Sequence, residues 1–114
     1  MDSKRSERVA DRLLEEIAEL LAREVNDPRI VPVTLTGIKV SKDLRHARVY
    51  FSPLEQSGDK SELLKSLRWT TGFIRAKVAK RLNLRFVPEI EFLYDEASAN
   101  AERIEQLLRE IKEN

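Results

Sequence analysis

The stretch from residue 32 to residue 51 constrains the fold most. PVTLTGIKV, over 32–40, is apolar at Val33 and Leu35 and then slips phase by one, to Ile38 and Val40, with Gly37 at the slip. Side chains on a strand alternate with period two. One extra residue at Gly37, a β-bulge, would return all four apolar side chains to one face. Ser41-Lys42-Asp43 is turn chemistry. RHARVYF, over 45–51, alternates again, with Ala47, Val49 and Phe51 inward and His46, Arg48 and Tyr50 outward. Two such runs joined by a short turn predict an antiparallel hairpin.

Helical periodicity brackets this hairpin. Residues 4–25 carry Val9, Leu13, Ile17, Leu20 and Leu21 at helical spacing, widened by Ala10, Leu14 and Ala18. Asp2 or Ser3 is placed to cap the start. Asn26 and Asp27-Pro28 end the helix, because proline disfavours helix in the residue before it. Residues 52–60 read as a loop, with Asp59 and Glu62 at the spacing of a capping box. Leu63, Leu64 and Leu67 continue helically to Ile74, Val78 and Leu82, interrupted by Thr70-Thr71-Gly72. A glycine in mid-helix costs about 1 kcal/mol. The pattern predicts two helices, 61–69 and 72–82, with a kink between them. FVPEIEFLY, over 86–94, is a third strand with Ile90, Phe92 and Tyr94 on one face, and Pro88 suits its start. Residues 97–112 form a last helix with Ile104, Leu107, Leu108 and Ile111 as its apolar stripe. The order α-β-β-α-α-β-α favours a two-layer α+β fold over a doubly wound one. With 114 residues and no linker, it predicts a single domain over 1–114.

Composition removes several function classes. The chain has no cysteine, which excludes disulfides, thiolate metal sites and cysteine nucleophiles. His46 is its one histidine, so a zinc site is not expected. No apolar run approaches the roughly 18 residues of a membrane span, and MDSKRSERVADR lacks the apolar core of a secretory signal. A cytoplasmic protein without cofactor, metal or membrane attachment is the expectation. Asp95-Glu96 are adjacent carboxylates with no base, metal ligand or nucleophile grouped near them, so no catalytic residue is assigned.

The charge total conceals its distribution. Lys+Arg is 21 and Asp+Glu is 20, a net charge of +1. Residues 1–28 carry −3, residues 29–85 carry +9 and residues 86–114 carry −5. Within 60–85, eight basic residues face Glu62 alone. A charged run is often only a solvated face. Here it follows a helix break, and Lys77, Lys80 and Arg81 fall within about 100° on a helical wheel. Bare backbone at Gly72 with a basic face behind it suits a phosphate backbone, and Lys and Arg contacts to phosphates supply most nucleic-acid affinity.

Several motifs in order then resemble one family. They are RVAD (Arg8 to Asp11), NDPRI (Asn26 to Ile30), VTLTGIKVSKDLRHARVYFS (Val33 to Ser52), TTGFIRAKVAKRLNLRFVPEIEFLYDE (Thr70 to Glu96) and RIEQLL (Arg103 to Leu108). Together they resemble the ribosome-binding factor A family over nearly the whole chain. The resemblance implies a type II KH-like fold, α-β-β-α-α-β with a C-terminal helix, a three-stranded sheet and a kinked helix pair. Ordinary KH domains clamp a nucleic-acid backbone with a GXXG loop. This sequence has none. The family's alanine-any residue-glycine kink maps onto Thr70, Thr71 and Gly72, with threonine for alanine, and the kink is expected to persist.

The resemblance also implies a role. It is that of a non-enzymatic assembly factor binding the small (30S) ribosomal subunit or its precursors and 16S rRNA. Such a factor assists late 30S maturation and 16S rRNA 5′-end processing, supports growth in the cold and acts as a monomer. The expected RNA-binding residues are Arg75, Lys77, Lys80, Arg81 and Arg85, with Lys42, Arg45 and Arg48 from the hairpin. His46 reads as a solvated histidine and Trp69 as a core or rim residue, with base stacking the sharper alternative for each. A protein–protein adaptor acting through the acidic helices is the competing function. A phosphate-ester hydrolase is a weaker third, since no acid–base pair is evident.

Overall fold

The computed structural model describes residues 2–27, 30, 33–53 and 60–113. Its elements are α1 (Asp2–Arg23), β1 (Val33–Val40), β2 (His46–Pro53), α2 (Lys60–Trp69), α3 (Thr71–Arg81), β3 (Glu89–Tyr94) and α4 (Glu96–Glu113). This is the predicted order, α-β-β-α-α-β with a C-terminal helix. Pro28 and the capping-box residue Asp59 lie outside the described residues, and Asp2 and Ser3 outside the described side chains.

The hairpin forms as its alternation requires. β1 and β2 are antiparallel, and the register steps from Leu35 opposite Phe51 to Gly37 opposite Tyr50, leaving Thr36 as the extra residue. Val33, Leu35, Ile38 and Val40 therefore all pack toward the core, while Thr34, Thr36 and Lys39 are exposed. The turn closes by side-chain bonds. The Ser41 hydroxyl donates to Asp43 Oδ1 at 2.6 Å, the Arg45 N–H donates to the same oxygen at 3.1 Å, and the His46 N–H donates to Ser41 Oγ at 3.1 Å. Leu44 completes it at φ 62°, a left-handed conformation that costs a leucine roughly 1–2 kcal/mol.

β3 joins the other edge of β2 in parallel, giving the order β1-β2-β3. Parallel neighbours need a long crossover, and the α2–α3 pair supplies it. α1, α2 and α3 pack against the sheet and one another. The core between them holds Leu13, Ile17, Leu20, Val49, Phe51, Leu67, Ile74, Val78 and Phe92, all at or near zero exposure. Each such side chain contributes about 1.5–3 kcal/mol relative to an exposed one.

Four details depart from expectation. β3 starts at Glu89 rather than at residue 86, because the Val87 and Pro88 carbonyls accept bonds from Arg75 instead of a neighbouring strand. α1 ends at Arg23, two residues early, as the Glu24 and Val25 N–H groups both donate to the Leu20 carbonyl. Ala18 is exposed, on the far side of α1 from the core. The α4 stripe Ile104, Leu107, Leu108 and Ile111 is also exposed, rather than covered by another described element.

Candidate nucleic-acid interface

The kink is built by the two threonines. α2 stops at Trp69, and the Thr70 N–H donates to the Leu67 carbonyl three residues back. The Thr70 hydroxyl donates to that same carbonyl at 2.6 Å, and the Thr71 hydroxyl donates to the Arg68 carbonyl at 2.9 Å. Helix-end carbonyls lack intrahelical partners, so these hydroxyls finish α2 where an alanine could not. Thr70 is then the N-cap of α3 without using its side chain there, and the first turn of α3 carries no acidic residue. A Cβ added to Gly72 would meet nothing within 4 Å, so this stretch of backbone is open to the outside.

Two aromatic rings stand beside the kink. Trp69 is 84% exposed, contrary to its expected place in the core or rim. The apolar stripe of α2 runs through Leu63 and Leu67, and Trp69 falls off it. Phe73 is 43% exposed, with the Lys77 ammonium 5.6 Å from its ring centroid.

The α3 cations divide into two groups. Arg75 is half-buried, with Nε donating to the Pro88 carbonyl at 3.1 Å and Nη2 to the Val87 carbonyl at 3.0 Å. Lys77 lies 3.9 Å from Glu24, and Arg81 reaches Glu16 at 3.2 Å and Glu24 at 2.6 Å. The Glu16 hydrogen bond, then Glu24, pushes the Arg81 guanidinium further above its ordinary value. These three side chains hold α3 to α1 and to the start of β3. Lys80 is exposed and makes no ion pair with a described residue.

The remaining cations gather elsewhere. Lys42, Arg45 and Arg85 line one cleft of about 800 Å³, between the start of α1, the β1–β2 turn and the α3–β3 connection. Thr70, Thr71 and Gly72 do not line it. Arg48 is on the outward face of β2, opposite Lys39 on one side and Glu91 on the other. His46 is exposed there too, with Nδ1 3.8 Å from Glu89. Sequence reasoning missed Arg5 and Phe86, which also line the cleft. Arg5 is 80 residues from Arg85 in the chain, beyond any local pattern. Phe86 had a signal: it follows Arg85 directly, just ahead of Pro88.

Among the described residues no group of three or more His, Asp or Glu could hold a metal ion, and no helix is long and apolar enough to cross a membrane. No buried side-chain nitrogen or oxygen among them lacks a partner.

Comparison with known proteins follows the same lines. The family model for ribosome-binding factor A matches residues 5–108. Ribosome-binding factor A of Geobacter metallireducens is 46% identical over 95% of this chain and 92% of its own. That of Syntrophus aciditrophicus is 45% identical over 95% and 88%. The crystal structure of the Thermus thermophilus factor matches with a TM-score of 0.70 at 25% identity, covering 78% of this chain and 93% of that one. A Thermus thermophilus homology model, fitted into a cryo-EM map of a complex of that factor with 30S, matches at a TM-score of 0.64 and 28% identity, over 77% and 92%. The KH-like arrangement is common to these structures and this one. On sequence and fold together, the chain belongs to the ribosome-binding factor A family.

Proposed function

We propose that this protein binds the small (30S) ribosomal subunit and its precursors through 16S rRNA, as a monomeric, non-enzymatic assembly factor of the cytoplasm. It assists late 30S maturation and 16S rRNA 5′-end processing, and supports growth in the cold. It acts as one unit over residues 1–114. The observation that carries the reading is the surface at the kink. There, open backbone at Gly72 and an α3 N-terminus without carboxylates adjoin the exposed rings of Trp69 and Phe73, with Lys80 exposed further along α3. Amide groups and cations engage phosphates, and exposed rings stack on unpaired bases. Thr70, Thr71 and Gly72 shape this surface. Lys80, Arg85, Lys42, Arg45 and Arg48 meet RNA directly. Lys77 and Arg81 do so on leaving Glu24 and Glu16, and Arg75 supports the contact by fixing the α3–β3 connection.

The test is sucrose-gradient sedimentation with mature 30S, precursor 30S and 50S particles across a salt series. Expected is co-sedimentation with the small subunit and its precursors only. The log–log salt slope should be about −0.7 to −0.9 for each phosphate contact. Charge reversal at Lys80 and Arg85 should weaken it with the fold intact. A salt-independent association, or equal binding to 50S, would overturn the assignment. The exposed stripe of α4 favours the adaptor as a second reading. Association with cellular partners that survives ribonuclease would support it.

A further inference from the structure

The cleft beside the hairpin turn has a composition that differs from the kink surface. Its rim carries Arg5, Lys42, Arg45 and Arg85 from three separate parts of the chain. None of the four forms a salt bridge with a carboxylate of a described residue. The two carboxylates in the lining are engaged: Asp43 accepts from Ser41 and the Arg45 N–H, and Glu89 lies 3.8 Å from His46. The floor is apolar, from Val9, Leu84, Val87 and Pro88. At its lip Phe86 is 79% exposed, with the Arg85 guanidinium carbon 5.9 Å from the ring centroid. The volume of about 800 Å³ is within the range of small-ligand clefts, about 300–1,000 Å³.

We infer that this cleft holds an unpaired nucleotide of single-stranded RNA, its base stacked on Phe86 and its flanking phosphates met by Lys42, Arg45, Arg85 and Arg5. The inference rests on the RNA-binding reading and adds a second contact, separate from the kink and selective for an unpaired base. An exposed ring at the edge of a cationic cleft is a stacking platform open to any base, while cations on both sides track the strand. A base held in a duplex offers no free face to such a ring. The anion is one carried within a strand, because four cations spread around the rim exceed what a single monophosphate engages.

The experiment uses the full chain and a single-stranded RNA hexamer with 2-aminopurine at its centre. Fluorescence reports stacking, and a titration reports affinity. Quenching on binding is expected. Phe86→Ala should lose quenching and weaken binding by roughly 5- to 150-fold, the loss that one base–aromatic stack represents. Phe86→Trp should retain both. Phe86 is solvent-exposed, so circular dichroism of the variant should match that of the parent chain. Unchanged hexamer affinity in Phe86→Ala would overturn the inference, as would equal binding of a hexamer duplex. Free adenosine monophosphate binding as tightly as the hexamer would overturn the assignment to a strand. Small-subunit co-sedimentation, run on the same preparations, separates the two readings. Subunit binding without hexamer stacking sinks this inference alone, and loss of both sinks the RNA-binding reading beneath it.

Discussion

Replacing Arg75 separates a structural cation from an RNA-binding one. Arg75 Nε and Nη2 donate to two consecutive carbonyls, of Pro88 and Val87, at 3.1 and 3.0 Å. These carbonyls lie just ahead of β3, where the Glu89 N–H donates to the Arg45 carbonyl and starts the parallel ladder. A hydrogen bond with a charged partner is worth about 1.5–3 kcal/mol. Arg75 is only half-buried, so water replaces part of what is lost. The estimate for Arg75→Ala is therefore about 2–4 kcal/mol, from two such bonds at the lower end of that range. In urea, with an m-value of about 2 kcal/mol/M, the unfolding midpoint should fall by about 1–2 M.

Arg75→Lys sharpens the test. Lysine keeps the charge but presents a point donor rather than a planar fork, so it cannot span both carbonyls as arginine does. Stability should recover only in part. If Arg75 instead served mainly as a phosphate contact, lysine would restore most of the small-subunit affinity and alanine would unfold almost normally. A midpoint shift under about 0.3 M for Arg75→Ala, well below the 1–2 M expected from an m-value near 2 kcal/mol/M, together with a tenfold loss of small-subunit binding, would refute the structural role.

Three further outcomes follow from the same geometry. Gly72→Ala should raise stability by about 0.5–1 kcal/mol, since nothing obstructs a methyl group there and glycine is a poor helix former. The same variant should bind small subunits more weakly, and calorimetry beside co-sedimentation checks both signs. Glu24→Gln removes the carboxylate shared by Lys77 and Arg81. Its affinity for RNA should rise and its salt slope steepen by up to about 0.7–0.9 for each cation released; an unchanged slope means those cations stay engaged. The Asp43 carboxyl is held below its ordinary value of 3.8, first by the Ser41 hydroxyl and then by the Arg45 N–H. Its contribution to stability is therefore present above pH 3.8 and lost as the pH falls through the lowered native-state value. An acid titration of Asp43→Asn should show a flatter acid limb than that of the parent chain.

The parts of the fold legible in the sequence are those set by neighbours in the chain. The slip of phase at Gly37 located the bulge, because only one inserted residue reconciles Val33 and Leu35 with Ile38 and Val40. The break at Thr70 to Gly72 was legible as a loss of helix propensity. How the threonines make it was not, since that depends on hydroxyls turning back to the Leu67 and Arg68 carbonyls. The parallel pairing of β3 with β2 has no local signature. Nor does the late start of β3 at Glu89, which a side chain 13 residues upstream of Pro88 helps decide. The α4 stripe marked a helix correctly, but periodicity gives an amphipathic face without naming what covers it.

The candidate site was legible as a charge and obscure as a surface, for a related reason. Segment totals of −3 and +9 placed the cations correctly in the middle of the chain, and the fold then set the −3 segment against part of the +9. Glu16 of α1 and Glu24, just past its end, meet Lys77 and Arg81 of α3, so the cations that look most accessible on a helical wheel are partly neutralised by a segment more than 50 residues earlier. Exposed ion pairs of this kind are worth little to stability. Their larger consequence is for where RNA is first held: the open field moves away from that face of α3, toward Lys80 and toward the cleft of Lys42, Arg45 and Arg85. A polyanion with enough charge density can still compete for Lys77 and Arg81, because both pairs sit where solvent and salt reach them. The acidic helix thus acts on affinity more than on fold, tempering the basic middle without removing a cation from it.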